Sequence, residues 1–290
     1  MRQLVVTGLA FVLATAANAA DCKLHLIASL PIVEDASGGP MVPATLGDKR
    51  TVMLVDTGGT FSMVAQHIVD ELKPDVAQVA GNRFTLVNNK EIKQIAHIRP
   101  FALGEMTTHE FKFLVLPDGL VGPKSLDGTI APDILANFDV EFDFAGKKMN
   151  LFSQDHCPGN VVYWTKDWAE IPFRSPDNLH IELKMMLDGE PVDATLDTGS
   201  SRSYLNASVA ERMFSLKGED PDKAFAHTFK SLSTNGVSFA NPQFVILPDK
   251  HSSGIGHYGT MLLGMTQLRH FHLYIAYKEQ VLYVTPADAH

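Results

Sequence analysis

An internal repeat constrains the fold of this chain more than any other feature of its sequence. The tripeptide Asp-Thr-Gly occurs at residues 56–58 and again at 197–199, and each copy closes an apolar run of β type. A single copy is most simply read as a turn at a strand end. Two copies in equivalent places indicate two half-sites, each of which brings one carboxylate to a shared centre.

The repeat extends well beyond the tripeptide. A Leu-Pro-Asp block at 116–118 recurs at 247–249, and an alternating apolar segment at 140–151 recurs at 273–284. Alternation on both sides of a turn predicts a β-hairpin in each half. The whole pattern is that of an all-β protein with minor helix.

One half contains a segment that the other lacks. Between the Asp-Thr-Gly and Leu-Pro-Asp motifs, the first half is ten residues longer than the second. That interval holds strand-like arms at 83–87 and 90–98 around Asn88 and Asn89, and Asn tolerates the positive φ of tight hairpin turns. The sequence predicts an extended hairpin in the first half only, with an ordinary surface turn as the alternative.

Short helices are expected directly after each Asp-Thr-Gly motif. Ser62 is a candidate N-cap for a helix over 63–72, and Asn206 is one for a helix over 207–214. A proline follows the first of these segments, where a helix is expected to end.

The N-terminus has the pattern of an export signal. Arg2 precedes a mostly apolar stretch, and residues 17–19 fit the small-x-small cleavage pattern. An apolar first strand is the alternative, which Ala-rich sequence disfavours. The expected divisions are a signal peptide at 1–19, an N-terminal lobe at 20–157, an interlobe connection at 158–177 and a C-terminal lobe at 178–290. The mature protein would then be periplasmic or secreted.

Composition narrows the set of partners. The formal net charge is −9 without a dense Lys/Arg cluster, which argues against nucleic-acid binding. After the signal, no apolar run approaches the roughly 20 residues that a membrane span needs. The two cysteines, Cys22 and Cys157, are compatible with one disulfide in an oxidising compartment or with two buried thiols.

The segments around the two tripeptides resemble those of the retropepsin/pepsin superfamily of aspartic proteases. They read Leu-Val-Asp-Thr-Gly-Gly-Thr at 54–60 and Thr-Leu-Asp-Thr-Gly-Ser-Ser at 195–201. The apolar-apolar-Gly element at 262–264 and its counterpart Thr-Ile-Ala at 129–131 support the resemblance. It implies two pseudo-symmetric retropepsin-like β-barrel lobes with a cleft between them, arranged as in pepsin but closer in sequence to bacterial retropepsin-like domains.

The resemblance also implies an activity, that of an aspartic endopeptidase whose catalytic residues are Asp56 and Asp197. It implies no metal or cofactor, a peptide or unfolded protein as substrate, and a monomer that suffices because both half-sites lie in one chain. Two carboxyls held close cannot both ionise easily, so they share a proton. One can then act as base toward water while the other donates.

Supporting roles follow from the same resemblance. Thr57 and Thr198 would hydrogen-bond across the pseudo-dyad, while Gly58 and Gly199 would let each loop bend sharply. Ser200 would support the second loop with its hydroxyl. The single hairpin would be a flap that covers substrate, with Val87, Asn88 and Asn89 at its tip.

Two positions depart from the family pattern. Gly59 stands where the second copy has a serine, and Ala131 stands where the second copy has glycine. Neither departure removes a catalytic group. Together they leave open the alternative of an exported peptide-binding protein that kept the cleft and lost turnover.

Overall fold

A computed structural model describes residues 22–34, 38–79, 84–85, 91–119, 125–176, 179–251 and 260–288. The predicted export signal lies outside the described residues. The described chain is mostly β with short helices, as the sequence predicts. In these ranges, no helix has the length and apolar character needed to cross a membrane.

The first half supplies fifteen of the described strands and two helices. The strands are β1 (Leu26–Pro31), β2 (Val33–Glu34), β3 (Pro40–Leu46), β4 (Lys49–Val55), β5 (Met63–Ala65), β6 (Asp75–Gln78), β7 (Phe84–Thr85), β8 (Glu91–Ile92), β9 (Gln94–Ile98), β10 (Phe101–Leu103), β11 (Met106–Thr108), β12 (Phe111–Leu116), β13 (Gly128–Ile130), β14 (Asp139–Asp143) and β15 (Lys148–Phe152). The helices are α1 (Gln66–Leu72) and α2 (Pro132–Leu135).

The second half repeats this order with fewer strands among the described residues. They are β16 (Ala169–Arg174), β17 (Glu182–Leu187), β18 (Glu190–Leu196), β19 (Tyr204–Asn206), β20 (Phe225–Thr228), β21 (Ser231–Thr234), β22 (Val237–Ala240), β23 (Gln243–Leu247), β24 (Met261–Leu263), β25 (Phe271–Ala276) and β26 (Val281–Pro286). The helices are α3 (Ala207–Phe214) and α4 (Met265–Leu268), with one 3₁₀ turn at Asp249–His251. Strand β16 lies inside the segment predicted as the interlobe connection.

The middle strands of each half pair with one another, and those of the second half continue a larger sheet through the pairing of β16 with β17. In the first half the order is β11-β10-β3-β4-β13-β5-β12-β9-β6, with β2 beside β3. In the second half β17, β18, β24, β19, β23 and β20 follow one another, with β21 and β22 beside β17. Each core contains a buried aromatic pair: Phe101 packs edge-on against Phe113, and Phe229 packs edge-on against Phe244.

Six strands join the halves in one antiparallel array, in the order β1-β15-β14-β25-β26-β16. The array is symmetric about its centre, where β14 pairs with β25. Val140 lies opposite Ile275 and Phe142 opposite Leu273, so equivalent residues exchange places across the axis. This pairing fixes the two halves face to face. Nearby, Cys22 and Cys157 form a disulfide that ties the residues before β1 to those that follow β15.

The expected start of the first helix is wrong. Residues 63–65 form the buried strand β5, which pairs with β12 and β13, and α1 begins only at Gln66. Ser62 is therefore not a helix cap. The second predicted helix matches α3, but Asn206 makes no side-chain capping bond there. Pairing with strands distant in sequence decided the first case.

The predicted hairpin is described only in part. Strands β7 and β8 pair antiparallel, with Phe84 opposite Ile92 and Thr85 opposite Glu91. Its proposed tip residues Val87, Asn88 and Asn89 lie outside the described residues. A flap that covers substrate therefore stays a prediction.

Candidate active site

Two equivalent loops carry the candidate catalytic residues: the Asp56 loop (residues 56–62) and the Asp197 loop (residues 197–203). Each Asp follows directly after a strand, β4 or β18, that runs parallel to a short buried neighbour. The Asp56 N–H donates to the Ile130 carbonyl at 2.9 Å, and the Asp197 N–H donates to the Leu263 carbonyl at 2.9 Å. The same backbone device thus sets the position of both carboxyls.

The threonines that follow the aspartates join the two loops. The Thr57 hydroxyl donates to the Leu196 carbonyl at 2.9 Å, and the Thr198 hydroxyl donates to the Val55 carbonyl at 2.6 Å. Each hydroxyl oxygen also accepts the other threonine's N–H, at 3.2 and 3.0 Å. Both threonines are fully buried. These four reciprocal bonds hold the loops at a fixed separation.

Glycine is required where the loops meet. A Cβ placed on Gly58 would overlap the Asp197 carboxyl, and one placed on Gly199 would lie 2.5 Å from Asp56 Oδ1. Neither contact can be relieved by moving the tip of a long side chain, because the obstructing group is the short carboxyl of the other loop. The missing side chains allow the two carboxyls to approach each other.

The Asp56 and Asp197 side chains share a hydrogen bond. Backbone N–H groups also donate to one oxygen of each carboxyl. Gly58 N–H and Gly59 N–H donate to Asp56 Oδ1 at 3.0 and 2.9 Å, and Ser200 N–H donates to Asp197 Oδ1 at 3.0 Å. Both aspartates are half-buried residues. The structure thus brings together the two predicted catalytic residues at one point.

Burial raises the pKa of Asp56, although the bond from Asp197 and the two glycine N–H groups oppose the rise. Burial also raises the pKa of Asp197 well above its usual range, and there the charge of Asp56 and the shared hydrogen bond add to the rise. The pair therefore retains one proton at pH values where a lone carboxyl is ionised. Because the groups are coupled, they titrate as a unit.

Two equivalent serines, Ser62 and Ser203, support the ends of the two loops. The sequence analysis did not predict this role for them. The Ser62 hydroxyl donates to Asp133 at 2.6 Å and accepts the Ala131 N–H at 2.9 Å. The Ser203 hydroxyl accepts the Gly264 N–H at 2.9 Å and contacts Gln267. A signal was available, because each serine stands six residues after its Asp.

The two predicted departures face each other. A Cβ on Gly59 would lie 3.4 Å from the Ala131 Cβ and 3.0 Å from Asp56 Oδ2. In the second loop, Ser200 has its side chain and Gly264 has none. The Ser200 hydroxyl donates to the Arg202 carbonyl at 2.8 Å and so does not support Asp197, which receives the Ser200 N–H instead.

An exposed aromatic side chain links the Asp56 loop to the hairpin. Phe61 is 43% exposed, and its ring meets the Phe84 ring edge-on at 5.1 Å. The base of the hairpin therefore lies beside the loop that carries Asp56. Sequence reasoning did not single out Phe61, since an isolated aromatic residue after a motif carries no pattern of its own.

Comparison with known families agrees with the geometry. The profile of the family described as aspartyl protease matches residues 42–130 and 183–266, one match in each half and more than half of the chain together. The chain belongs to the aspartyl protease family. A search of curated proteins gives no significant match.

Two solved plant structures share the fold. Basic 7S globulin from soybean aligns with a TM-score of 0.54 at 11% identity, over 92% of this chain and 96% of its own. Conglutin gamma, a unique basic 7S globulin from lupine seeds, aligns with a TM-score of 0.52 at 13% identity, over 91% of this chain and 95% of its own. At such low identity the likeness shows the two-lobed pepsin-like fold and nothing of activity.

Proposed function

We propose that this protein is an aspartic endopeptidase that hydrolyses peptide bonds with a water activated by Asp56 and Asp197. The observation that carries the proposal is the hydrogen-bonded carboxyl pair of two half-buried aspartates. A purely structural role would not require two carboxyls to face each other, because burying them together costs free energy. Membership of the aspartyl protease family supports the same conclusion.

The geometry suits general acid and base chemistry. With one shared proton, the ionised carboxyl accepts a proton from a water molecule while the oxygen of that water attacks the peptide carbonyl carbon. The protonated carboxyl donates to that carbonyl oxygen, and the pair then delivers a proton to the leaving amine. Because the two carboxyls titrate as a unit, the shared proton belongs to the pair and is not assigned to either residue. No covalent bond between enzyme and substrate is needed.

The surroundings suggest the kind of substrate and the place of action. A cleft between two lobes suits an extended peptide, and Phe61 beside it offers an apolar contact for a substrate side chain. The Cys22–Cys157 disulfide supports an oxidising compartment, consistent with export. One chain provides both aspartates, so we propose that a monomer is sufficient.

Single replacements of each aspartate test the proposal. Asp56→Asn and Asp197→Asn should each lower the kcat for cleavage of an unfolded protein by at least about a hundredfold, since either one removes the acid–base pair. Asp70→Asn is a matched control, because Asp70 is exposed on α1 and bonds only Gln66 among described partners. Circular dichroism should show all three variants folded. Full cleavage by either active-site variant would contradict the proposal.

A second candidate is a peptide-binding protein without turnover. The observation in its favour is Gly59, which has no side chain to donate to Asp56 Oδ2, the oxygen beside it. Peptide binding by calorimetry, combined with no cleavage by the wild type anywhere between acidic and neutral pH, would select this candidate over the first.

A further inference from the structure

The two loops end in different ways, although their sequences begin alike. In the Asp197 loop, the Ser200 carbonyl accepts the N–H of Met265 at 2.8 Å. Met265 is the first residue of α4, so the bond ties the loop to a helix that packs beneath it. The bond also fixes the orientation of residue 200, whose own N–H donates to Asp197.

The same bond cannot form in the Asp56 loop. The residue equivalent to Met265 is Pro132, the first residue of α2, and proline has no N–H. The preceding residues Ala131 and Gly264 have similar extended backbones, with φ of −115° and −106°. A donor at position 132 would therefore point as the one at 265 does. The Gly59 carbonyl, equivalent to that of Ser200, is deprived of this partner.

A histidine from the second half contacts this part of the Asp56 loop. His180 is fully buried two residues before β17, and its Nε2 lies 3.3 Å from the Thr60 hydroxyl. The ring is also hydrogen-bonded to the backbone of Gly59, a bond that favours the protonated ring. Only a carbonyl acceptor has that effect, so the partner is the Gly59 carbonyl oxygen.

The ring can serve both neighbours in its neutral form. Burial lowers the pKa of His180 to about 4, so near neutral pH one ring nitrogen carries a proton and the other has a lone pair. The protonated ring nitrogen can then donate to the Gly59 carbonyl, and Nε2 lies 3.3 Å from the Thr60 hydroxyl. Both residues belong to the first half, so this contact crosses between the halves as the threonine bonds do.

We infer that His180 is a positioning residue for Asp56, because it donates to the Gly59 carbonyl the hydrogen bond that Pro132 cannot donate. Gly59 itself contacts the reacting group, since its N–H donates to Asp56 Oδ1 at 2.9 Å. His180 bonds the carbonyl on the other side of the same residue, so it acts only through Gly59. The catalytic consequence rests on the proposed function, whereas the hydrogen-bond substitution does not.

Restoring the missing donor provides the test. His180→Leu should lower kcat about tenfold with KM unchanged, since it removes the side-chain donor from the half-buried Gly59 carbonyl. Pro132→Ala should have little effect alone, because it adds an N–H where His180 already donates. In the double variant the new N–H replaces the lost one, and most of the kcat should return.

Two further variants separate positioning from packing. His180→Gln keeps an N–H donor and an acceptor, so it should retain kcat within about twofold and serves as well if the leucine variant does not fold. His227→Leu is a control for replacing a half-buried histidine, on β20 beside Phe229. A double variant no more active than His180→Leu, or an unchanged kcat in His180→Leu, would overturn the inference.

The inference can be decided even in a protein without peptidase activity. Urea unfolding of the four proteins in the 180/132 cycle should show that Pro132→Ala raises the midpoint in the leucine background and not in the wild type. Purely additive midpoints would overturn the inference. An inactive wild type with the expected coupling would contradict the proposed function alone.

Discussion

The Asp56 loop and the Asp197 loop are alike where they touch each other and differ in the contacts of residues 59 and 200. Aspartate, threonine and glycine repeat in sequence and in geometry, down to the reciprocal threonine bonds. Behind them, the Asp197 loop is held by the backbone of α4, whereas the Asp56 loop is held by His180 from the opposite half. The symmetric part serves the shared carboxyl pair, and the outer supports are free to diverge.

The small residues show the same division. Gly58 and Gly199 both face the other loop's carboxyl and cannot be replaced without overlap. Gly59 and Ala131 instead form a local pair, in which the side chain missing from one position is present at the other. In the second half the same pair is Ser200 and Gly264. The difference is a local exchange of volume within each half and leaves the centre unchanged.

The largest expected effect is loss of activity on replacing the glycines that face the centre. Gly58→Ala and Gly199→Ala should each reduce kcat at least about a hundredfold, because the new methyl group displaces the opposite carboxyl. Symmetry requires effects of similar size. Gly236→Ala is a control in solvent, where an added Cβ meets nothing within 4 Å, although its positive φ carries a small stability cost. Full activity in either active-site variant would break the comparison.

The next effect is a dependence of the free energy of unfolding on pH. It arises from His180, which contacts the Asp56 loop and has no counterpart among the described residues at the Asp197 loop. Burial lowers the pKa of His180 from 6.5 to about 4, so the folded state keeps the ring neutral while the unfolded chain binds a proton. The contribution of His180 is complete above pH 6.5 and is lost as the pH falls toward 4. It amounts to at most about 3 kcal/mol.

Urea unfolding at pH 7 and pH 4 measures this dependence. The free energy of unfolding should fall more steeply in the wild type than in His180→Leu, since the variant lacks the titrating ring. The raised pKa values of the two aspartates act in the opposite direction, but they are common to both proteins and cancel in the difference. Equal slopes would show that His180 is not held neutral.

The smallest expected effect concerns the local pairs. Gly59→Ser should lower kcat by up to about tenfold, because its Cβ would lie 3.0 Å from Asp56 Oδ2 and press on Ala131. Adding Ala131→Gly gives the loop the small-residue pattern of the second half and should recover part of the loss. If Gly59→Ser alone is as active as the double variant Gly59→Ser with Ala131→Gly, the two positions are not coupled.

The sequence predicted the centre of this site better than its supports. The repeated Asp-Thr-Gly motifs sufficed to expect two carboxyls at one point, because equivalent strand ends in a symmetric fold meet at the axis. Ser62 was assigned to a helix cap, since its true partners Asp133 and Ala131 lie about seventy residues away. Local pattern carries no information about such contacts.

His180 shows the same limit in another form. His180 belongs to no motif. The one indication in the sequence is Pro132, which has no N–H and stands where the second half has Met265, a residue that can donate. That indication could be recognised once the two halves were aligned residue by residue. The identity of the substituting group depended on tertiary structure alone.

The most direct measurement of the central claim is the titration of the two carboxyls by ¹³C NMR in selectively labelled protein. If Asp56 and Asp197 share one proton, the wild type should show two coupled steps, the upper one well above pH 3.8. In Asp56→Asn only Asp197 remains to titrate, and its step should lie below the upper step of the wild type, because the neighbouring charge is gone. Two independent titrations near pH 3.8, unchanged by replacing either partner, would contradict the account.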